Sequence, residues 1–220
     1  MGESYASHPR FNRAELIADA VVHGLGLSFG LAACAALAVA LLPSRDALLW
    51  LAVGLYAAGL LAMLGCSALY SLTRSSRWNA VFRRLDHAAI FVMIAGTYTP
   101  FMLIAVGGPW GFGLLAFVWT VALGGVALKL FWPGRRFHGL SVVAYLLLGW
   151  SIVVVLDPLF GALSTAGILL IGVGGLLYSL GVVFHLWRRL PYHNAIWHGF
   201  VLAAAACHFS AVLGEVALAG

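Results

Sequence analysis

Ionisable, amide and hydroxyl side chains recur four residues apart inside three apolar stretches of this chain. The residues are Asp19 and His23 in the first stretch with Glu15 just before it, Ser67 and Ser71 in the second, and Asn194 and His198 in the last. Residues four apart lie on one face of an α-helix, so each set forms a polar stripe. Imidazole and carboxylate groups bind metal ions and exchange protons. The pattern therefore indicates metal or acid–base chemistry held in a helical frame.

The composition is that of a protein whose solvent is lipid. Hydrophobic residues make up 63% of the 220 residues and charged residues 9%, against roughly 45–50% and about 25% in soluble domains. The mean hydropathy of +1.02 leaves too few polar groups to cover a water-facing surface. The net charge of +5 comes from basic residues that lie mostly between apolar stretches. That placement favours membrane orientation over nucleic-acid binding, so membrane lipids are the expected partners.

Seven apolar stretches are long enough to cross a bilayer, which takes about 20 residues. They cover residues 18–42, 47–72, 86–106, 110–131, 140–156, 161–187 and 193–218, with short breaks rich in Pro and Gly. The only long connection, 73–85, is basic. We therefore predict an all-α integral membrane bundle of seven transmembrane helices in residues 18–220, preceded by a polar cytoplasmic segment, 1–17, with no cleavable signal peptide.

Basic residues are divided very unequally between the two ends of this predicted bundle. One end holds Arg10, Arg13, Arg74, Arg77, Arg83, Arg84, Lys129, Arg135, Arg136, Arg188 and Arg189, and the other holds Arg45. Since basic residues concentrate in cytoplasmic connections, this predicts a cytoplasmic N-terminus and an extracytoplasmic C-terminus. We expect the protein in the cell inner membrane.

The polar residues fall near the predicted cytoplasmic end of five spans. They are Asp19 and His23, Ser67 and Ser71, Asp86 and His87, His185, and the group His193, Asn194 and His198. Ionisable groups at membrane depth are costly, so their convergence predicts one polar cavity at that level. The alternative is that they cap or snorkel at helix ends, with Asp86 as an N-cap of the third helix.

Three other histidines are expected to play different parts. His208 lies ten residues beyond His198, or roughly 15 Å deeper along a helix. It cannot share a metal ion with His198, and we expect an interhelical hydrogen bond there, in a deeper part of the cavity. His8 and His138 lie in the N-terminal segment and in a connection, where we expect them to be solvated.

Three stretches resemble the bacterial hemolysin III family, the prokaryotic branch of the progestin and adipoQ receptor family. They are DHAAIFVMIAGTYTPF at 86–101, the first-span set Glu15, Asp19, His23 and Gly24, and HNAIWH at 193–198 with CHF at 207–209. The resemblance covers nearly the whole chain. It implies seven spans, a cytolytic phenotype, and a zinc site near the cytoplasmic face, with an aspartate at the start of the third helix that supports a bound water.

The zinc site that the resemblance implies is incomplete here. The family's ligands are the histidine of a Ser-x3-His motif and both histidines of a His-x3-His motif, but Ser71 and Asn194 replace two of them and only His198 remains. Hydroxyl and carboxamide groups are poor ligands for Zn²⁺. Ser67 is the motif serine and Asp86 the implied base, so these two are the catalytic candidates. Asp19 stands where the family more often has asparagine. These replacements alone predict that the protein is isolated with little or no zinc.

Four functional hypotheses remain open on the sequence. The first is a degenerate zinc site whose polar cavity, including Asp19, His23, His193 and His208, serves membrane-lipid homeostasis or sensing. The second is a zinc-dependent hydrolase of lipid amides or esters with a metal site rebuilt from His198, Asp86 and either Asp19 or His23. The third is a proton- or ion-handling protein, in which Asp19, Asp86 and several histidines are expected to titrate near neutral pH. The fourth is a purely structural membrane protein.

Overall fold

The computed structural model describes residues 12–73, 76–132 and 137–219, and within these ranges the chain is helical throughout apart from short turns. The α-helices are α1 (Arg13–Leu41), α2 (Ala47–Leu72), α3 (Ser76–Pro100), α4 (Gly108–Phe131), α5 (Phe137–Trp150), α6 (Leu156–Ala162), α7 (Thr165–Leu186) and α8 (His193–Val212). Three tighter or wider helical segments extend them. They are a π-helical segment at Phe101–Val106 after α3, a 3₁₀ segment at Ser151–Val155 between α5 and α6, and a π-helical segment at Leu213–Ala217 after α8.

In the described ranges seven helical segments are long and apolar enough to cross a membrane. They are Arg13–Leu41, Ala47–Leu72, Arg77–Val106, Gly108–Phe131, Gly139–Ala162, Thr165–Leu186 and His193–Ala217. The all-α fold and the seven predicted spans are therefore confirmed. Large apolar side chains such as Leu147 face outward, 70% exposed, which is where a bilayer would contact them.

The third span begins earlier than predicted, and this corrects the expectation for Asp86. The helix starts at Ser76, so most of the predicted loop 73–85 is helical. Asp86 lies in the third turn of α3 rather than at its N-cap, and the capping explanation for this residue is wrong. The error has a physical cause, because three arginines interrupt the apolar residues of 76–85. This segment continues the helix beyond the apolar run that marks the span.

The break between the fifth and sixth spans also lies elsewhere than predicted. Pro158, expected in a connection, sits in the first turn of α6, where its missing N–H removes no helical hydrogen bond. The chain instead turns at Leu163 and Ser164. The Ser164 hydroxyl accepts from the Gly167 N–H and so caps α7.

Capping side chains fix the starts of the first two helices. At α1 the Asn12 and Glu15 side chains each accept a hydrogen bond from the other residue's backbone N–H, both at 2.8 Å. At α2 the Asp46 carboxylate accepts from the Leu48 N–H at 2.8 Å. The first helix begins at Arg13 because of this capping box, five residues before the apolar run predicted for the span.

The helices pack in an order that brings α1, α2, α3 and α8 together. α1 contacts α2 and α8, α2 contacts α3, α3 contacts α4, and α7 contacts α8. The α2–α3 contact is especially close, because a Cβ atom on Gly59 would lie 3.2 Å from the Val92 carbonyl oxygen, and one on Gly96 would lie 3.0 Å from that of Leu55. Small residues at a crossing let two membrane helices approach this closely. The third span is the most buried of the seven.

The ends of the bundle differ in charge among the described residues. Arg13, Arg77, Arg83, Arg84, Lys129, Arg188 and Arg189 lie at the end where α1, α3 and α8 begin, and Arg45 lies at the opposite end. Arg10, Arg74, Arg135 and Arg136, which also entered the charge count, lie outside the described residues. So do His8 and the side chain of His138.

Candidate functional site

Asp19 is the centre of a buried polar group formed by three helices. Its Oδ1 lies 2.8 Å from His198 Nδ1 on α8, and its Oδ2 accepts a hydrogen bond of 2.5 Å from the Ser71 hydroxyl on α2. One turn along α1, His23 Nε2 lies 3.6 Å from the same Oδ2. Asp19 and His23 of the first stripe, Ser71 of the second and His198 of the last therefore lie together.

Ser67 on α2 and Asp86 on α3 complete this group. The Ser67 hydroxyl lies 3.4 Å from His198 Nε2. Asp86 is close enough to interact electrostatically with Ser67, His198 and His23, and its side chain is only 16% exposed. Here the six residues Asp19, His23, Ser67, Ser71, Asp86 and His198 are called the Asp19 cluster.

Within the Asp19 cluster, three residues have the chemistry and the spacing of metal ligands. One ligand atom from each of Asp19, His23 and His198 lies within 4.8 Å of the other two. The rings of His23 and His198 are 4.3 Å apart at their centroids. Two imidazoles and one carboxylate form a ligand set known from catalytic zinc sites, with a further coordination position open.

His23 supplies an independent sign that this arrangement accommodates a ligand. Its Nε2 is buried and has no hydrogen-bond partner among the described residues. A buried polar atom without a partner costs free energy, about 1–3 kcal/mol. This atom points toward the Asp19 carboxylate, where a cation would satisfy both groups.

The ligand positions inferred from the family behave differently from these three residues. The Ser71 hydroxyl donates to Asp19 and so orients the carboxylate. Asn194 is half-buried on α8, one turn before His198, and the contacts that hold the cluster come from other residues. The residues present therefore fit a metal ion through Asp19, His23 and His198, and fit it poorly through Ser71 and Asn194.

A hydrogen bond ties the start of α8 to the start of α1. Glu15 Oε1 accepts from the Tyr192 N–H at 3.0 Å, and Tyr192 has a left-handed backbone with φ of 60°. The neighbouring His193 is buried and interacts electrostatically with Glu15 and Asp19, which places it at the margin of the cluster. This tie positions the two helices that carry Asp19 and His198.

His87 and His185 lie at the same level as the Asp19 cluster and make contacts of their own. His87 Nδ1 lies 2.5 Å from the Arg83 carbonyl oxygen and 3.9 Å from the Asp86 carboxylate. The Tyr145 hydroxyl donates to the His87 carbonyl oxygen at 2.8 Å. The His185 ring packs on Trp197, with centroids 5.1 Å apart.

His208 lies apart from the Asp19 cluster, deeper in the bundle. Its Nε2 is hydrogen-bonded to the Ile171 carbonyl oxygen on α7 at 3.2 Å, which is the interhelical bond that its sequence position predicts. Gly174 leaves room for the ring, since a Cβ atom there would collide with it. The ring also borders a mostly apolar cavity of about 60 Å³ beside Tyr98 and Trp150.

Sequence reasoning missed three tyrosines in the bundle interior. The hydroxyls of Tyr56 and Tyr178 are buried without a hydrogen-bond partner among the described residues, and they interact electrostatically with each other. Tyr98 hydrogen-bonds across to the interruption between α5 and α6, where its hydroxyl accepts from the Ile152 N–H at 2.8 Å. The sequence signal for these residues was a tyrosine inside an apolar span. That signal does not identify the hydrogen-bond partner of the hydroxyl.

Comparison with known proteins identifies the family. A family model described as haemolysin-III related matches residues 12–209. The chain is 40% identical to a hemolysin-3 homolog of Bacillus subtilis (strain 168) over 206 residues, which covers 92% of this chain and 95% of the relative. It is 40% identical to hemolysin-3 of Bacillus cereus over 199 residues, 90% of each chain.

A human protein is related as well. Monocyte to macrophage differentiation factor from Homo sapiens is 30% identical over 164 residues, which covers 72% of this chain and 67% of the relative. The resemblance carried by the first, third and last spans is confirmed, and so are the multi-pass membrane fold and the seven-helix bundle. This chain belongs to the haemolysin-III related family.

Proposed function

We propose that this protein is a metal-dependent hydrolase of lipid amides or esters, with a zinc site rebuilt around Asp19, His23 and His198. The observation that carries the proposal is the convergence of these three ligand atoms within 4.8 Å. The partnerless His23 Nε2 beside them supports it. One carboxylate among the ligands also supplies negative charge, which favours a divalent cation over a purely hydrogen-bonded group.

Asp19 compensates for the histidines that Ser71 and Asn194 replace. The Ser71 hydroxyl holds Asp19 Oδ2, and His198 Nδ1 lies against Oδ1, so both oxygens are oriented. A carboxylate fixed by its neighbours in this way is pre-organised for a cation. The proposed site thus differs from the ligand set that the family resemblance implies. One of its ligands is Asp19, which stands where the family more often has asparagine.

The neighbouring residues are suited to hydrolysis. A zinc ion bound here supplies Lewis acidity, which polarises a carbonyl oxygen or lowers the pKa of a bound water. Asp86 stands beside the ligands on α3, where its carboxylate can accept a proton. Ser67 lies between His198 and Asp86 and orients the imidazole through Nε2. A lipid carbonyl entering from the bilayer would meet these groups together.

The proposal includes an orientation in the membrane. The cluster lies at the bundle end that carries all but one of the described basic residues, so we place it near the cytoplasmic face of the cell inner membrane. Lipids of the inner leaflet then reach it laterally, and membrane-lipid homeostasis is the process it serves.

The second candidate function is metal-free lipid sensing. It is favoured by the two hydrogen-bonding contacts to Asp19, from Ser71 at 2.5 Å and with His198 at 2.8 Å, which satisfy the carboxylate without an ion. It leaves the buried His23 Nε2 unexplained. For that reason the metal site is preferred.

Metal content tests the proposal directly. Purified protein dialysed against buffered zinc should retain about one zinc per chain by elemental analysis, because three ligands with one open position bind Zn²⁺ firmly. Asp19→Asn and His23→Gln should each lower zinc affinity by at least about tenfold, since each removes a ligand. Ser28→Ala is the matched control, because Ser28 hydrogen-bonds only within α1.

Two results would decide against the metal site. One is wild-type protein that stays free of zinc under these conditions while remaining folded. The other is full zinc binding by Asp19→Asn and His23→Gln, which would assign the metal to other residues. Thermal melting of each variant in the presence of a chelator separates loss of the metal from loss of the fold.

A further inference from the structure

Three basic side chains at the same end as the Asp19 cluster have no acidic partner among the residues that the structure describes. They are Arg83 on α3, Lys129 in the last turn of α4 and Arg188 just after α7. Within the described ranges, the contacts of 4.0 Å or less between a basic group and a carboxylate all involve histidines. Lys129 is half-buried, which makes an unneutralised charge there costly.

Helix packing brings Lys129 and Arg83 together. Gly125 on α4 lies directly against the Phe91 ring on α3, because a Cβ atom on Gly125 would overlap it. Because α3 and α4 run antiparallel, Lys129 lies beside His87 one turn closer to the basic end. Arg83 lies one further turn along α3, and its carbonyl oxygen contacts His87 Nδ1. Lys129 and Arg83 are close enough to repel each other.

Tyr70 links this basic pair to the Asp19 cluster. It lies on α2 immediately before Ser71, half-buried, and it interacts electrostatically with Arg83, Asp86 and Arg188. Arg83 on α3 and Arg188 just after α7 thus both interact with Tyr70, and so does Asp86. The basic residues border the approach to Asp86 rather than a remote surface.

The residues beside these charges are apolar and face outward. Phe131 and Trp132 follow Lys129 and are 73% and 66% exposed, and Leu186 and Trp187 precede Arg188 and are 57% and 53% exposed. Aromatic side chains at this position sit at headgroup level in a bilayer. A ligand held by the charges would therefore have its apolar part against lipid-facing side chains.

We propose that Arg83, Lys129 and Arg188 bind the anionic headgroup of a membrane lipid and direct its acyl linkage toward Asp86 and Ser67. An anion between like charges relieves their repulsion, and the effect is strong where water is scarce. Basic pockets between membrane helices bind anionic headgroups in this way, and guanidinium groups suit phosphate oxygens. Delivery of the acyl linkage to Asp86 and Ser67 rests on the proposed hydrolase function. It narrows the substrate class of that hydrolase to anionic lipids.

Binding of two fluorescent lysolipids with the same acyl chain tests the headgroup site. One carries phosphoglycerol and the other phosphocholine, and each is titrated against the full-length protein in neutral detergent by fluorescence anisotropy. Wild-type protein should bind the phosphoglycerol lipid about tenfold or more tightly than the phosphocholine lipid, and added salt should reduce the difference. The double variant Arg83→Gln with Lys129→Gln should lose that preference.

Two single variants serve as matched controls for the charge change. Arg77→Gln removes a basic residue at the same end, and Arg45→Gln removes one at the opposite end. Both should keep the preference within about twofold, because the basic groups that act on Tyr70 and Lys129 are Arg83 and Arg188. Lys129→Arg should also keep it, because the charge is retained. If the double variant fails to fold, Arg83→Gln alone should still lower the preference, since Arg83 is exposed and its loss leaves the packing intact.

Several outcomes would overturn the assignment. Equal affinity for the two lysolipids, or an unchanged preference in the double variant, would remove the headgroup site. If Arg77→Gln lost the preference to the same extent, the preference would be a general effect of surface charge. If glycerol phosphate displaced the lysolipid at the same concentration, the ligand of the site would be a soluble anion. Zinc content is read separately, because the double variant should keep the zinc of the wild type. Wild-type protein without bound zinc would contradict the metal proposal, but it would not contradict headgroup binding.

Discussion

Asp19 is an acidic residue buried in a membrane helix, and its surroundings account for its presence there. It is 8% exposed, and Ser71, His198 and His23 surround its two oxygens. An isolated carboxylate at this depth would be costly, whereas one fixed by donors and imidazoles is not. Under the proposed function, the replacements at Ser71 and Asn194 coincide with a new ligand, Asp19, rather than with simple loss of the site.

Restoring both histidines implied by the family tests this interpretation at the residue scale. Ser71→His with Asn194→His should raise zinc affinity by roughly tenfold or more, because neutral imidazole binds Zn²⁺ without first losing a strongly held proton. His198→Ala in that background should reverse the gain. Competition with a chromophoric chelator gives the affinity, and a folded double variant with unchanged affinity would show that positions 71 and 194 do not face the ion.

At the scale of helices, interruptions matter as much as the regular segments. The 3₁₀ segment Ser151–Val155 leaves backbone groups of the fifth span without their helical partners. The Tyr98 hydroxyl accepts from the Ile152 N–H at 2.8 Å and from the Ser151 hydroxyl at 3.1 Å, and it donates to the Gly149 carbonyl oxygen at 2.8 Å. α3 thus supports the interruption from the side.

Tyr98→Phe tests that support. The change leaves the Ile152 N–H unpaired in an apolar setting, so we expect about 1–2 kcal/mol lower stability, with zinc binding unaffected because the cluster lies elsewhere. Thermal or denaturant unfolding in detergent measures the loss. Tyr145→Phe is the control, since its hydroxyl only donates to the His87 carbonyl oxygen, and it should cost less. A loss in Tyr145→Phe as large as that in Tyr98→Phe would refute the assigned role.

The whole molecule has one basic end and one end that carries Arg45 alone among the described residues. Opposed ends of this kind orient membrane proteins during insertion, because basic connections stay in the cytoplasm. With seven spans, we therefore predict that the two termini lie on opposite sides of the membrane.

Reporter fusions test this orientation. Alkaline phosphatase fused after Gly220 should be active, because it folds only outside the cytoplasm, and the same enzyme fused after Pro43 should be active as well. A fusion after Thr73 should be inactive, since that connection is at the basic end. Activity after Thr73 and none after Gly220 would reverse the predicted orientation.

The number of spans, the family and the shared level of the polar residues followed from the sequence. Each depends on a property that is local in the chain. The thickness of a bilayer sets the length of an apolar run, and the rise of a helix sets the depth of a residue such as His208 below His198. An interhelical hydrogen bond for His208 was predicted from its sequence position, and the structure identifies the partner as the Ile171 carbonyl oxygen.

The partners of the polar residues were decided by the tertiary structure. Spacing puts Asp19, Ser71 and His198 on helical faces, but the order and rotation of α1, α2 and α8 determine that those faces meet. The start of α3 at Ser76 escaped sequence analysis because its first turns lie beyond the apolar run and carry three arginines. Helical periodicity is a property of one segment, whereas a metal site joins several segments, and only packing brings them within bonding distance.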